Sequence, residues 1–513
     1  MNTPKPTALS ARRLLLQFEG LLNRIFGENL NPFYYLGALG FLFFWVLVGS
    51  GAYLYIFYKT GIEISYPSVE DITHEQWYLG GIMRSLHRYA SDALVVVMML
   101  HLLREYILGR YRGARWFAWI TGIPLIWLIY AAGINGYMMP WDKLAQYVTV
   151  ATMEWFDWLP IFSGPLSQSF VSQEVLNDRF FTLLSFFHTT SPVFILFLLW
   201  VHILHISYPV VNPRRGLVTG MLLALLALAL IYPALSQGPA DLGIEPRNVG
   251  IDWFFLFIYP LMDTWSPGGV WALVVGFSLL LGVLPWLPTR QKQIPVAEVH
   301  LKDCSGCRLC VADCPYEAVV MRPRSDGLRF LEEAVVVADR CVSCGICVGA
   351  CPSSTAFRNE EKYESGIEMP SMPIAGLRTE MANDLARLKG DARVIVFGCD
   401  NAADIKEIRG EGVAVLSLPC TAMLPPSFIE YALREHQADG VFITGCREND
   451  CYHRMGGLWT TQRLAREREP RLRWRADSNS ARLRVFWASA ADSKELDAEL
   501  ESFRARLRSL SNG

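Results

Sequence analysis

Four histidines lie inside apolar segments as two pairs with the same spacing, His87 with His101 and His188 with His202. The members of each pair are fourteen positions apart, close to four turns of α-helix, so both side chains project from one face. Imidazole is a good iron ligand, and a histidine without a partner in hydrocarbon is costly. The pattern predicts two histidine-ligated iron sites, about 21 Å apart at a rise of roughly 1.5 Å per residue. The alternative is four core histidines whose ring nitrogens are hydrogen-bonded within a helical bundle and bind no metal.

Six apolar stretches can position these histidines, since a membrane-spanning helix needs roughly 20 residues. They lie near residues 34–58, 82–107, 116–139, 182–207, 216–236 and 269–288. The basic residues of the connecting loops fall on one side of these stretches, at Arg12, Arg13, Arg104, Arg110, Arg112, Arg115, Arg214, Arg215, Arg290 and Lys292. The positive-inside rule therefore predicts that both termini are cytoplasmic. This topology pairs His87 with His188 on the outer side and His101 with His202 on the inner side.

Glycines repeat the same interval of fourteen residues in two other apolar stretches: Gly37 with Gly51, and Gly122 with Gly136. Glycine lets a bulky planar group approach the helix backbone, although in membranes it more commonly serves helix packing. Arg84 and Arg104 each lie three residues from a histidine. They are candidates to bind the acidic groups of a planar cofactor, or else simple anchors at the membrane surface.

Residues 30–290 resemble the cytochrome b subunit of quinol-oxidising bc-type complexes, over six of that family's eight helices. The resemblance rests on GIMRSLHRYASDALVVVMMLHLLREYILG, GINGYMMPWDK, HTTSPVFILFLLWVHILH and the NP of VVNPRRG. It implies an all-α transmembrane bundle, haem b at both histidine pairs, quinone as substrate and a homodimer.

The same resemblance implies an outer quinone site. Where the family carries Pro-Glu-Trp-Tyr, this chain has Ile251, Asp252, Trp253 and Phe254. The proline is absent and the acid is one methylene shorter. By this resemblance Asp252, Trp253 and Tyr137 form the site, with the Asp252 carboxylate as proton acceptor.

Composition separates this membrane part from the rest of the chain. The hydrophobic content is 52%, yet residues 291–513 carry charges throughout. A net charge of −2 without a basic stripe argues against a nucleic-acid partner.

The two ends of the chain differ in character. Residues 1–29 lack the pattern of a signal peptide, and their sequence predicts an interfacial helix on the lipid surface. All twelve cysteines follow residue 300, which is typical of metal ligands in a reducing compartment.

Eight of these cysteines form two runs of the type C-x-x-C-x-x-C-x-x-x-C-P within residues 291–357. This doubled spacing predicts an α+β ferredoxin module with two 4Fe–4S clusters, since soft thiolates suit iron–sulfur sites. In such modules the fourth cysteine of each run binds the other cluster. One predicted ligand set is Cys304, Cys307, Cys310 and Cys351, and the other is Cys341, Cys344, Cys347 and Cys314. Zinc is the weaker alternative.

The remaining four cysteines lie in residues 392–513, beyond a segment at 358–391 whose pattern predicts a linker and then a helix. The runs RVIVFGC, VAVLSLPC and DGVFITGC predict strands of an α/β domain that end at Cys399, Cys420 and Cys446, with Cys451 five residues later. Strand ends of one parallel sheet converge at its carboxyl edge, where such folds bind ligands. Four cysteines there predict one 2Fe–2S cluster, the alternative being buried structural cysteines.

Residues 392–510 resemble the iron–sulfur delta subunit of methyl-viologen-reducing hydrogenases, on the segments FGC, LPC, DGVFITGC and the R-x-x-D-C that follows. The family often has a second cysteine where this chain has Ala402. The resemblance implies electron exchange with a cytoplasmic flavoprotein.

Together these patterns predict a multidomain inner-membrane subunit of a quinone-coupled oxidoreductase. Electrons would pass between a cytoplasmic flavoprotein or dehydrogenase and quinone, through the 2Fe–2S centre, two 4Fe–4S clusters and two haems. The chain has no dinucleotide-binding glycine fingerprint, so the dehydrogenase would be a separate subunit. The direction of flow stays open. The alternative is a non-catalytic electron-transfer adaptor, with quinone chemistry on another subunit. A membrane redox sensor is disfavoured, because the sequence has no recognisable output domain.

Overall fold

The computed structural model describes residues 6–161, 165–167, 176–204, 206, 209–246, 248–288, 295–359, 363–408, 410–436, 438–447, 450–473 and 480–511. Arg290 and Lys292, used above to orient the helices, lie outside these ranges. The chain divides into two compact units. One is Phe26–Pro288, and the other is Met1–Ile25 with Thr289–Gly513.

The first helix, α1 (Pro6–Phe26), has a stripe of exposed apolar residues. Leu14, Phe18, Leu21 and Ile25 follow one another at steps of three and four residues and therefore share one face. Such a face suits a helix that lies in a membrane surface. The assignment of residues 1–29 to the interface stays a prediction.

The unit Phe26–Pro288 is all-helical in its described regular elements. In chain order these are α2 (Leu36–Phe57), α3 (Ser65–Glu70), α4 (Ile82–Ile107), α5 (Trp116–Met138), α6 (Lys143–Asp157), α7 (Asp178–Ile203), α8 (Arg215–Ile231), α9 (Ile258–Thr264) and α10 (Pro267–Val283). The helices α2, α4, α5, α7, α8 and α10 occupy the six predicted stretches. The expected helical bundle is therefore confirmed.

Four of the six long helices, namely α2, α5, α7 and α10, are long and apolar enough to cross a membrane by length and composition. Helix α4 is also long, but Arg88 and Asp92 interrupt its apolar sequence. Helix α10 reaches the required length with the short helical turn that continues it to Trp286, 20 residues in all. Helix α8 has 17 residues, about 25 Å at roughly 1.5 Å per residue. Helix α7 begins at Asp178, four residues earlier than predicted, because the Asn177 side chain caps it by accepting a hydrogen bond from the Arg179 amide.

Two helix pairs carry the four histidines. Helix α2 packs along α4, and α5 packs along α7. Each pair therefore combines one histidine helix with one glycine helix. The buried core between them is made of large apolar side chains, including Leu39, Leu94, Ile126 and Leu184.

The ferredoxin module is built from two similar halves. Its elements are β1 (Glu298–Val299), α11 (Leu309–Asp313), β2 (Val319–Pro323), β3 (Glu332–Val336), α12 (Ile346–Ala350) and β4 (Ile367–Glu368). Strands β2 and β3 pair antiparallel, as do β1 and β4. In both halves a Cys-x-x-Cys loop turns through two residues of positive φ, Gly306 and Arg308 in the first and Ser343 and Gly345 in the second.

The segment 358–391, expected to be a linker and then a helix, contains β4 and then α13 (Ile374–Arg387). Strand β4 pairs with β1, and α13 buries Ile374, Leu377, Met381 and Leu385. Much of this segment is thus packed structure, because its apolar residues follow the i, i+3, i+7 spacing of a helix face.

The α/β domain contains one parallel sheet of four strands in the order β6-β5-β7-β8. Its elements are β5 (Val394–Cys399), β6 (Val413–Leu418), α14 (Ser427–Arg434), β7 (Gly440–Gly445), α15 (Gly456–Leu464), β8 (Leu483–Trp487) and α16 (Ser493–Ser511). Strands β5 and β7 are buried along their whole length, as expected for continuous apolar runs in a parallel sheet. The predicted α/β class is confirmed.

Candidate electron-transfer sites

The structure brings the rings of His87 of α4 and His188 of α7 close together, with centroids 6.0 Å apart and planes inclined at 64°. Two imidazoles that bind one metal through metal–nitrogen bonds of about 2.0–2.1 Å would have their centroids about 6 Å apart. The observed separation therefore fits a single iron atom held between the two rings.

Hydrogen bonds fix which nitrogen of each ring is free to bind a metal. The Ser50 hydroxyl donates to the Val46 carbonyl at 2.7 Å and lies 3.1 Å from Nδ1 of His87, so its oxygen accepts the Nδ1 proton. Nδ1 of His188 lies 3.0 Å from the Ala132 carbonyl and can only donate to it. Both rings thus keep the lone pair on Nε2, as metal-binding histidines commonly do.

His202 of the second pair repeats this hydrogen-bonding arrangement. The Thr121 hydroxyl donates to the Phe117 carbonyl at 2.8 Å and lies 3.2 Å from Nδ1 of His202, so it accepts the ring proton. The hydroxyl–histidine contact is therefore made by both helix pairs, between α2 and α4 and between α5 and α7.

The four repeated glycines lie directly behind the four imidazoles. A Cβ at Gly51 would be 3.0 Å from Cε1 of His87, and one at Gly136 would be 2.9 Å from Cε1 of His188. At Gly122 the distance to His202 would be 3.3 Å, and at Gly37 the distance to His101 would be 3.8 Å. These glycines were expected beside the edge of a planar cofactor. The structure gives them a contact with the ligand rings themselves.

A cavity of about 770 Å³ opens beside the first histidine pair. Its lining includes His87, His188, Arg84, Tyr137 and Asp252. This volume lies in the range of cofactor pockets, roughly 300–1,000 Å³. Helix backbone at Gly51 and Gly136 forms part of the wall, so a flat apolar cofactor can approach closely. The donor set and the cavity both fit haem b.

Asp252 lies in a buried network beside this cavity. The Tyr137 hydroxyl donates to its Oδ2, and the Arg88 guanidinium lies 3.0 Å from the same oxygen. Its Oδ1 accepts from the Phe254 amide at 2.8 Å. Arg88 also pairs with Asp92, one helical turn further along α4. Two carboxylates therefore share one guanidinium.

The other predicted residues are placed differently. Arg84 lines the cavity and is held by Ser236 at 2.9 Å and by Glu70 at 3.8 Å. Arg104 is buried with its guanidinium 5.6 Å from the centre of the Tyr34 ring. The Trp253 side chain is 68% exposed, unlike its neighbour Asp252, and is not drawn into the buried network.

In the ferredoxin module the predicted cysteines lie near one another. Cys304, Cys307, Cys310 and Cys351 line one small cavity. Cys314 interacts with Cys344 and Cys347 instead. Backbone and side-chain donors reach the sulfurs: the Ala318 amide lies 3.3 Å from Sγ of Cys314, and the Ser353 hydroxyl lies 2.9 Å from Sγ of Cys351.

The buried thiols of Cys310 and Cys344 resist deprotonation in the absence of a cation. Burial, together with the charges of neighbouring cysteines, raises the pKa of the Cys310 thiol to about 12, and burial raises that of Cys344 to about 12. Iron would compensate for this cost, because metal binding stabilises the deprotonated ligand. Within the described part of the chain no three His, Cys, Asp or Glu side chains converge to hold a single metal ion. This is expected where each cysteine binds a different iron of a cluster.

The four cysteines of the α/β domain meet at the carboxyl edge of the sheet. Sγ of Cys399 lies 3.8 Å from Sγ of Cys446, and Cys446 interacts with Cys451. A Cβ at Gly456 would lie 2.3 Å from Sγ of Cys420 and 3.7 Å from Sγ of Cys451. Glycine at the start of α15 therefore leaves room for these sulfurs. Its amide and that of Gly457 donate to Cys451.

Four residues of these sites were missed by sequence reasoning: Ser50, Thr121, Arg88 and Asp92. Ser50 and Thr121 each precede one of the repeated glycines, which was a usable signal. Arg88 and Asp92 are an oppositely charged pair at i, i+4 inside an apolar helix, and such residues are functional candidates by default.

These features define an integral membrane electron-transfer protein with haem and iron–sulfur sites. Comparison with known families agrees. Residues 21–209 match the model "Cytochrome b/b6/petB", residues 303–355 match "4Fe-4S dicluster domain", and residues 389–511 match "Methyl-viologen-reducing hydrogenase, delta subunit". The chain thus carries a cytochrome b/b6 domain, a 4Fe–4S dicluster domain and a domain like that delta subunit, in this order.

One similar solved structure is a chain titled "Hyperthermophilic respiratory Complex III". The two chains are 20% identical, with a TM-score of 0.42 over 52% of this chain and 80% of that one.

Proposed function

We propose that this chain is the membrane subunit of a quinone-coupled oxidoreductase. It carries electrons between a cytoplasmic flavoprotein or dehydrogenase and the quinone pool. The observation that carries the proposal is the convergence of Asp252 and Tyr137 on the cavity that His87 and His188 line. A proton-accepting group beside an electron-accepting site is what quinol oxidation, or quinone reduction in reverse, requires.

Five cofactors would complete the path. His87 with His188 would hold one haem b, and His101 with His202 the other. The two ferredoxin ligand sets would each hold a 4Fe–4S cluster, and Cys399, Cys420, Cys446 and Cys451 would hold a 2Fe–2S cluster. When bound, these groups supply one-electron transfer, while the chain's own residues orient them and manage protons.

The residues around Asp252 determine how a proton is held. Oδ2 already accepts from Tyr137 and pairs with Arg88, and Oδ1 accepts from the Phe254 amide. A carboxylate offers about four acceptor positions, so these three contacts leave one on Oδ1 that could take a proton from a quinol hydroxyl. A turn of Arg88 toward its second partner, Asp92, would open another on Oδ2 while keeping Asp92 neutralised.

The loop charges support an inner-membrane orientation with both termini and the iron–sulfur domains in the cytoplasm. The low potential of typical ferredoxin clusters makes quinone reduction the downhill direction. Reverse flow, from quinol to a cytoplasmic acceptor, remains open in this scheme. Assembly as a homodimer is part of the proposal.

The alternative is a non-catalytic adaptor, with quinone chemistry on another subunit. One observation favours it: the Arg88 guanidinium lies 3.0 Å from Oδ2 of Asp252, on the carboxylate that would accept the proton of quinol. The two functions differ in whether quinone perturbs the haem between His87 and His188.

The deciding experiment uses the purified full-length protein in detergent, with optical spectra recorded before and after addition of decylubiquinol or a short-chain menaquinol. The proposed function predicts haem reduction by the quinol and a shift of the haem spectrum by an oxidised quinone analogue. Asp252→Asn should slow the reduction by about 10²–10⁴-fold, whereas Asp263→Asn should leave it unchanged. Haems that reduce with dithionite but respond to neither quinone would establish the adaptor. A protein without haem absorbance would overturn both.

A further inference from the structure

The ferredoxin module packs against the α/β domain through the loops that carry their cysteines. A Cβ at Gly345 would lie 2.5 Å from Sδ of Met423, and one at Gly349 would lie 2.0 Å from the carbonyl oxygen of Ala422. Gly345 follows Cys344, while Ala422 and Met423 follow Cys420. The glycines therefore allow the second cysteine run to approach the Cys420 loop at backbone distance.

Arg463 of α15 lies inside this junction and is 1% exposed. Its Nη2 lies 2.5 Å from Oδ2 of Asp313, and its Nη1 donates to the Ala422 carbonyl at 2.7 Å. Asp313 immediately precedes Cys314, and Ala422 is two residues after Cys420. One guanidinium thus joins a ligand loop of the second ferredoxin site to a ligand loop of the α/β site.

The charges at the junction do not cancel. Asp313 also pairs with Arg468, at 2.9 Å, and the Trp459 indole donates to its carbonyl at 3.2 Å. Two guanidiniums and one carboxylate leave one positive charge, since arginine does not lose its proton in proteins. Of the two guanidiniums, that of Arg463 is the buried one, in a low-dielectric place where a charge acts most strongly. Burying it costs desolvation free energy that a packed apolar side chain would avoid.

We propose that Arg463 is the positioning residue for electron transfer between the α/β cysteine site and the ferredoxin site of Cys314, Cys341, Cys344 and Cys347. It fixes the two ligand loops against each other and stabilises an added electron on either site by its buried charge. This inference rests on the proposed assignment of clusters to these cysteines.

The sign of the effect follows from electrostatics. An electron added to either cluster increases its negative charge, and a nearby buried cation favours that state. Loss of the Arg463 charge should therefore lower both reduction potentials. Loss of the Asp313 charge should raise the potential of the ferredoxin site, because it removes a nearby anion.

The test is an anaerobic redox titration of the full-length holoprotein, followed by electron paramagnetic resonance of both clusters. Arg463→Met is compared with Arg468→Met, a matched control that also removes one positive partner of Asp313 but does not touch the Ala422 carbonyl. We expect Arg463→Met to shift the reduced-to-oxidised ratio of both clusters about tenfold, equal to about 59 mV for one electron. It should also weaken the magnetic interaction between them. Arg468→Met should shift only the ferredoxin site, and by less.

Two further variants keep the test decisive. Arg463→Lys should restore the potentials in large part but not the magnetic interaction, because lysine keeps the charge and loses the two-ended contact. Asp313→Asn should move the potential of the ferredoxin site in the opposite direction, and it carries the test if Arg463→Met does not accumulate. Potentials that are equal in all four variants and the unchanged protein would overturn the inference. Wild-type protein without these two cluster signals would instead contradict the proposed function.

Discussion

The Tyr316 hydroxyl lies 2.8 Å from Nδ1 of His453, so a residue of the ferredoxin module is hydrogen-bonded to a residue of the α/β domain. Tyr316 is two residues after Cys314, and His453 is two residues after Cys451. This contact and the Arg463 contact therefore lie beside ligands of the same two candidate clusters. The two domains are joined where electrons would have to cross.

The histidine pairs can be tested one at a time. His188→Ala should remove one of two haems, because His87 alone cannot hold iron from both faces, while the site of His101 and His202 stays intact. We expect haem per protein to fall to about half, measured from the pyridine haemochrome spectrum. His74→Ala is the control, since the His74 side chain is 60% exposed and lies against Glu70, at 3.3 Å, on the helical segment that precedes α4. An unchanged haem content in His188→Ala would contradict the assignment.

The close approach of the repeated glycines to the histidine rings gives a second prediction. Gly51→Ala would place a Cβ 3.0 Å from Cε1 of His87, whereas a Cβ at Gly49 on the same helix meets nothing within 4 Å. Overpacking of this kind costs roughly 1–3 kcal/mol. Gly51→Ala should therefore lower haem retention during thermal unfolding, and Gly49→Ala should not. Equal behaviour of the two variants would show that the contact has no role.

The prediction that the fourth cysteine of each ferredoxin run binds the cluster of the other run is also testable. Cys351→Ser should perturb the same paramagnetic signal as Cys307→Ser, although the two residues belong to different runs. Cys314→Ser should perturb the other signal. The measurement is electron paramagnetic resonance of the reduced full-length protein together with its iron content. If Cys351→Ser and Cys344→Ser affected one signal, the crossed assignment would be wrong.

The carboxylate pair makes a prediction for quinone chemistry. Asp252→Asn should lower quinol-dependent haem reduction by about 10²–10⁴-fold, the usual contribution of a general acid–base group. Asp92→Asn should have a smaller effect, because Asp92 contacts Arg88 and lies one turn away. Stopped-flow reduction of the haems by a quinol measures both. A larger loss in Asp92→Asn would make that carboxylate the proton acceptor.

Much of the fold followed from periodicity. The six long helices, the parallel strands that lead into Cys399, Cys420 and Cys446, and the two cysteine runs are all local patterns, and local patterns can be recognised in a sequence. The boundary of α7 was misjudged, because a cap at Asn177 decides it. Strand β4, in segment 358–391, could not be predicted. It has two residues, and only its pairing with the distant strand β1 defines it.

The sequence identified the candidate ligand residues of the sites, but not the residues that hydrogen-bond to them or pack around them. Spacing grouped His87 with His101, but the role of Ser50 as acceptor of the ring proton depends on how α2 packs on α4. Arg463 carries no motif at all. Its importance comes from burial between two loops that are over one hundred residues apart along the chain.

The two halves of the ferredoxin module differ at one matching position. After the second cysteine of each run the backbone has positive φ, with Gly345 in one half and Arg308 in the other. Gly345 is pressed against Met423, so a side chain could not be added there. Arg308 extends into solvent and pairs with Glu332 beside the exposed Cys307, and nearby Leu331 is 90% exposed. The two halves of the duplicated module therefore differ in access to solvent: the loop of Cys344 is covered by the α/β domain, and the loop of Cys307 is exposed.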